Sequence, residues 1–215
     1  MKNMDKKHFE DVQFRTGDII LSKKGAPLRF KAGNGVSMDI CVVKKIFLGM
    51  FAVFQSHYSH AGIVVVRNGI PYLLHLTNEP YYDTFTGKHV MGLLSLVSMD
   101  DIKLRSDFVY HIPYLGPDIN WTDDDLNAMY AKNYKLEGNW LVIFLNQMFN
   151  KKRSGKCMCT DFTSDALNRM GIIPHTDKCV DLNYIKQMTE NFCYGESVML
   201  MTARHIAMKD YNNYL

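Results

Sequence analysis

The sequence predicts an α+β domain, an antiparallel sheet packed against helices, on three observations. Short β-prone runs bounded by turn residues fill the first half of the chain. Asn68-Gly69 joins two of those runs as a hairpin. Helix-start and helix-stop residues gather in the second half.

Taken in order, 15–22 reads Arg-Thr-Gly-Asp-Ile-Ile-Leu-Ser, with Gly17-Asp18 as a turn and a short buried strand after it. Residues 23–38 hold Gly25, Pro27, Gly33, Asn34 and Gly35 and read as loop. The Gly33-Asn34-Gly35 cluster follows no strand that would suit a dinucleotide fingerprint, so it is a turn. Residues 61–66 are strongly β-prone, 71–77 form the returning strand, and further strands are expected near 90–97 and over 108–112. Thr122 followed by three aspartates is an N-cap with an acidic first turn, opening a helix that reaches about Leu136. Residues 140–149 read as an apolar helix and 150–156 as a basic loop. Residues 160–170 form a helix with Phe162, Ala166, Leu167 and Met170 on one face and Gly171 as C-cap glycine. From Asp181 onward short helix and strand signals alternate. The expected organisation is a single domain over 1–215, with 1–13 and about 186–215 as peripheral extensions.

Composition agrees with a folded globular chain. Of 215 residues, 47% are hydrophobic and 22% charged, which excludes a disordered, collagen-like or disulfide-dense protein. A net charge of +3 is too mild to argue for nucleic acid. Five cysteines, an odd number thinly spread, suggest free thiols in a reducing, cytoplasmic compartment. Residues 1–12 lack the apolar run of a signal peptide. The most apolar stretch, from Ile40 to Phe54, is interrupted by Lys44 and Lys45 and is shorter than the ~20 residues of a membrane span. It reads as a core element, or as a surface helix that touches lipid or an acyl substrate with its lysines at the headgroups.

Three residues are candidates for chemistry. Cys159 precedes the 160–170 helix, where orphan N–H groups and the helix dipole favour a thiolate, and Lys151, Lys152, Arg153 and Lys156 act in the same direction. Its thiol is therefore expected to be more acidic than an ordinary cysteine, although an inert buried cysteine fits the position too. His60 opens a buried strand and is followed by Ala61 and Gly62, small residues that leave room for a substrate or a second side chain. A strand-borne imidazole suits a general base, and a structural histidine is the alternative. His57 is a weaker candidate in the preceding loop. His75 lies on the returning strand, where a buried polar side chain needs a partner and the ring of His60 would supply one; an outward-facing position is the alternative.

Gly17-Asp18-Ile19-Ile20-Leu21, Ser59-His60-Ala61-Gly62-Ile63 and Cys159-Thr160-Asp161-Phe162, in that order, resemble the circularly permuted papain-like cysteine hydrolases. These form the permuted branch of the NlpC-type superfamily, with bacterial YiiX-like proteins and a poxvirus member. The likeness runs from about residue 14 to 185 and includes Val180-Asp181-Leu182. The resemblance implies a papain-like fold, Cys159 as nucleophile and His60 as base. It also implies a cysteine hydrolase or acyltransferase that cleaves an amide, ester or thioester through an acyl-enzyme, without cofactor or metal. Its substrate would be a peptide, an amide or an acyl lipid, with membrane-surface contact through the stretch from Ile40 to Phe54 and no specific nucleic acid. A virion location follows if the source is a large DNA virus. Where the family usually carries a glutamate, this chain has His75, which brings no negative charge; Glu79 and Asp83 are alternative orienting groups. The oxyanion site would use the Cys159 backbone near Thr160 and Asp161, with a partner unidentified. The departure at His75 also motivates a catalytically weak or inactive member that binds or builds.

Other readings fit the residues less well. Cys157, Cys159, His175, Cys179 and Cys193 supply enough zinc ligands, but their spacing follows no common structural pattern. Gly155-Lys156 fails the phosphate-loop pattern, since position 150 is Asn and position 157 is Cys.

Overall fold

A computed structural model of the chain describes residues 6–23, 60–106, 108–137, 157–176, 185 and 191–202. Among them, strands β1 (Lys6–His8), β2 (Ile19–Lys23), β3 (His60–Arg67), β4 (Ile70–Leu76), β7 (Leu94–Ser98), β8 (Phe108–Ile112) and β9 (Val198–Met201) form one sheet. Its order is β1-β9-β8-β2-β3-β4-β7. Every neighbouring pair is antiparallel except β1 with β9. A second, two-stranded sheet pairs β5 (Tyr81–Asp83) with β6 (Lys88–Val90). Helices α1 (Met99–Arg105), α2 (Asp123–Ala131) and α3 (Cys159–Arg169), with a short 3-10 helix at Phe9–Asp11, complete the described elements. The architecture is α+β with a mostly antiparallel sheet, as the sequence predicts.

The β3–β4 hairpin follows from its turn. Asn68 and Gly69 both take positive φ, 52° and 78°, the pair that matches the twist of flanking strands in a two-residue loop. From there the register runs Arg67 opposite Ile70 and Gly62 opposite His75. Alternation then sends Ala61, Ile63, Val65, Leu74, Leu76, Leu94 and Leu96 to one face, where they meet Leu126 and Met129 of α2 and Phe162, Ala166 and Leu167 of α3. The opposite face carries Ile20, Val64, Leu73 and Val97 against Phe9, Tyr81, Met99 and Ile102. A sheet buried on both faces has no solvated side for its polar residues, so each one on it must be accounted for.

Several boundaries differ from expectation. The helix after Thr122 keeps its capping box with Asp125 but ends at Ala131. Asn133 has φ 50°, a left-handed residue that stops the helix, and Lys135 and Leu136 instead form bridges to Leu93 and Cys157. The last described helix starts at Cys159, with Met158 as N-cap, and is followed by Gly171 at φ 74°. The expected strand near 90–97 divides into β6 and β7, and α1, capped by the Ser98 hydroxyl on the Asp101 N–H, is an addition. Within the segments expected as peripheral extensions, Lys6–His8 and Val198–Met201 pair with each other at one edge of the sheet, and β9 continues onto β8. Residues 40–54, His57, 140–149 and the basic loop 150–156 lie outside the described residues. No described helix is long and apolar enough to cross a membrane.

Candidate active site

The first turn of α3 sets the thiol. Its amphipathic sequence drives Phe162, Ala166 and Leu167 into the core, which fixes the helix against the sheet and leaves its N-terminus at the start of β3. There the backbone N–H groups of Ala61, the residue after His60, of Thr160 and of Cys159 itself favour the charged form of the Cys159 sulfur. Burial nevertheless pushes the thiol up from its ordinary value; those three donors act against that, and the nearby Asp161 carboxylate adds to it. The expected acidic thiol is therefore corrected: desolvation outweighs the helix end.

Asp161 and Thr160, both buried, serve the helix. Asp161 Oδ2 accepts from the Met158 N–H at 3.0 Å, and Thr163 Oγ1 donates to the Cys159 carbonyl at 2.8 Å. That ties down the turn whose N–H groups surround the sulfur.

His60 and His75 meet. The Nε2 of His60 lies 3.0 Å from Nδ1 of His75, with the rings edge to face and their centroids 5.0 Å apart. The outward alternative for His75 is excluded, since the residue is 1% exposed. Gly62 makes the space. A Cβ there would stand 2.9 Å from the His75 Cβ and 2.9 Å from a Leu73 methyl. Small residues after His60 thus admit a second side chain, and that side chain is His75. Burial, with the charge of His60 second, holds the His75 imidazole well below its ordinary value, so it is neutral at physiological pH.

The strand alternation has a consequence for the thiol. His60, Gly62 and His75 belong to the sheet face opposite α3, whereas Ala61 belongs to the face that α3 covers. His60 is the first residue of its strand, so the histidine pair lies at the sheet margin, on the same strand as Ala61.

Below His75 the Tyr81 ring packs edge to face at 4.9 Å, and the Arg105 guanidinium covers Tyr81 at 4.6 Å. Burial and the neighbouring Glu79 push the Tyr81 hydroxyl up to about 12, so it stays protonated. Asp83 is committed: its carboxylate accepts from the N–H groups of Leu96 and Phe85 and from the hydroxyls of Tyr130 and Thr86. Asp83 lines a cleft of about 220 Å³ with Lys88, Tyr130 and Tyr134.

The sequence also missed a second imidazole pair. His111 Nε2 lies 2.7 Å from Asp18 Oδ2, and the same carboxylate takes the N–H of Arg15 at 2.9 Å and of Tyr114 at 2.7 Å. Both residues are buried. The signal was a polar residue in the apolar run 108–112, visible only once β8 is known to lie beside β2.

Among the described residues no group of three or more His, Cys, Asp or Glu side chains is arranged to hold a metal; Cys179 of the zinc alternative lies outside them. Fold and site together define an α+β protein with a thiol at a helix N-terminus and a pair of touching histidines on the sheet. No family model matches the chain, and no curated protein matches it in sequence.

Proposed function

We propose that this protein is a thiol hydrolase or acyltransferase of the permuted papain-like kind. The observation that carries the reading is the packing of the helix that Cys159 opens against the strand that His60 opens, which puts the Ala61 N–H, next in sequence to His60, among the groups that favour a charged sulfur at Cys159.

With His60 Nε2 engaged by His75, Nδ1 is the nitrogen that serves the thiol. Cys159 gives its proton to His60 Nδ1, and the thiolate attacks a carbonyl carbon. The Cys159 N–H and a second donor receive the oxyanion. As the tetrahedral intermediate collapses, His60 returns the proton to the leaving amine, alcohol or thiol and an acyl-enzyme remains. Water or another acceptor then attacks, with His60 taking its proton. Because burial raises the thiol, the charged thiolate forms as an ion pair with His60 rather than standing alone. His75 supports the His60 imidazolium with a dipole where a carboxylate would bring charge, which lowers the driving force for proton transfer. The apolar stretch 40–54 favours an acyl lipid over a peptide as substrate, with contact at a membrane surface. Five thiols in the chain are consistent with a reducing compartment.

The second reading is a binding or structural protein on the same scaffold. The raised thiol and the missing carboxylate favour it. A low dose of an acyl-mimicking electrophile separates the two. The hydrolase reading expects labelling of one cysteine, abolished in Cys159→Ala and strongly slowed in His60→Gln. Equal labelling of all five cysteines overturns it.

A further inference from the structure

Three buried side-chain polar atoms find no hydrogen-bond partner among the described residues: His75 Nε2, Ser95 Oγ and Trp121 Nε1. Two of these belong to one cross-strand pair, because His75 on β4 stands directly opposite Ser95 on β7. Direct partners in an antiparallel ladder project to the same face with Cβ atoms roughly 4.5–5.5 Å apart. Both residues are 1% exposed, so neither atom has bulk water as an alternative. Leaving a buried donor and a buried acceptor both unmade is costly, and each has what the other lacks.

We propose that Ser95 is a positioning residue for the histidine pair, its hydroxyl accepting the Nε2–H of His75 and so fixing which nitrogen of each ring carries the proton. This rests on the thiol-hydrolase reading for its consequence but not for its existence. The Ser95 hydroxyl is free to turn about Cα–Cβ between staggered wells, the motion by which the proposed bond would form. The logic follows from the 3.0 Å contact between His60 Nε2 and His75 Nδ1, which holds one proton. If His75 carries its proton on Nε2, its Nδ1 accepts from His60 Nε2–H, and His60 Nδ1 keeps a lone pair for the thiol. If His75 carries its proton on Nδ1 instead, it donates to His60 Nε2, and neutral His60 holds its own proton on Nδ1, where it is no base. With its hydroxyl accepting at His75 Nε2 rather than donating, Ser95 selects the first arrangement; its Oγ has no partner among the described residues. Tyr81 offers only its ring, a weak acceptor.

The test is the nitrogen NMR spectrum of the imidazoles in the full chain at neutral pH, in a Cys159→Ala background to keep thiol chemistry out. The expected spectrum has His75 protonated on Nε2 and unprotonated on Nδ1, with His60 protonated on Nε2. Ser95→Ala, which only removes an oxygen, is expected to move His75 toward the Nδ1–H form, and Ser95→Thr to restore the Nε2–H form. In the chain with Cys159 intact, Ser95→Ala should slow thiol labelling about two- to tenfold, the reach of one hydrogen bond. An unchanged His75 tautomer in Ser95→Ala overturns the proposal, as does a shift produced by Tyr81→Leu and not by Ser95→Ala. If the tautomer moves while no cysteine is selectively labelled in the intact chain, the positioning role stands and the hydrolase reading falls.

Discussion

Two imidazole pairs lie on one face of the same sheet, and they differ in what surrounds them. His111 is held by Asp18, whose two oxygens also accept two backbone N–H groups, so the acid is saturated. His60 is held by His75, a neutral ring whose outer nitrogen has no partner among the described residues. The first pair ties the start of β2 to β8 and the turn beyond it. The second stands at the margin of β3, next in sequence to Ala61, whose N–H favours a charged sulfur at Cys159. A fully satisfied buried polar group is a fastener, while an incompletely satisfied one beside a nucleophile is where chemistry is expected.

Breaking the fastener should cost most. Asp18→Ala strands a buried imidazole and two backbone donors, and the expected loss is about 3–5 kcal/mol in urea unfolding. A loss below about 1 kcal/mol would mean that the acid does not hold β2 and β8 together. Gly62→Ala attacks the other pair through packing: its Cβ would crowd the His75 Cβ at 2.9 Å, an atom fixed to the strand that cannot swing away. About 1–3 kcal/mol is expected, with His75 displaced from His60 and slower thiol labelling than the stability loss alone explains.

The neutral ring gives a prediction in pH. His75 is held well below its ordinary value when folded, and an unfolded histidine titrates near 6.5, so the unfolded chain binds the extra proton below that point. Stability owed to His75 is complete above about pH 6.5 and falls by about 1.4 kcal/mol per unit as the pH drops below it, until the folded value is reached. Urea midpoints measured from pH 7 to about 5 should therefore fall more steeply in the wild type than in His75→Asn. Parallel slopes would show that His75 takes up a proton in the fold. The smallest effect belongs to a position outside both pairs. Thr122→Ala removes the capping box of α2 and should cost about 1 kcal/mol while leaving the His75 tautomer untouched.

What the sequence made legible was local. Asn68-Gly69 specifies its own turn, and the turn sets the register that places His75 near His60 once Gly62 is seen to leave room. The helix at Cys159 was legible from its apolar face and its terminal glycine. Three-residue strands such as β5 and β6 carry too few side chains for a period, and α1 lay behind a brief Ser-Met-Asp-Asp signal at 98–101. Ser95 and His111 were illegible for a different reason: each is a polar residue in an apolar strand, and its meaning depends on which distant strand lies beside it. The direction of the thiol shift was missed because burial, unlike a helix end, has no local signature in the chain.

The central claim is that His60 activates Cys159, and the rate of Cys159 alkylation against pH tests it most directly. The account predicts a His60-dependent shoulder of reactivity below neutral pH, where an ion pair supplies thiolate, and its disappearance in His60→Gln to leave a single rise at alkaline pH. Superimposable profiles for the wild type and His60→Gln, both rising only above the ordinary thiol range, would contradict it.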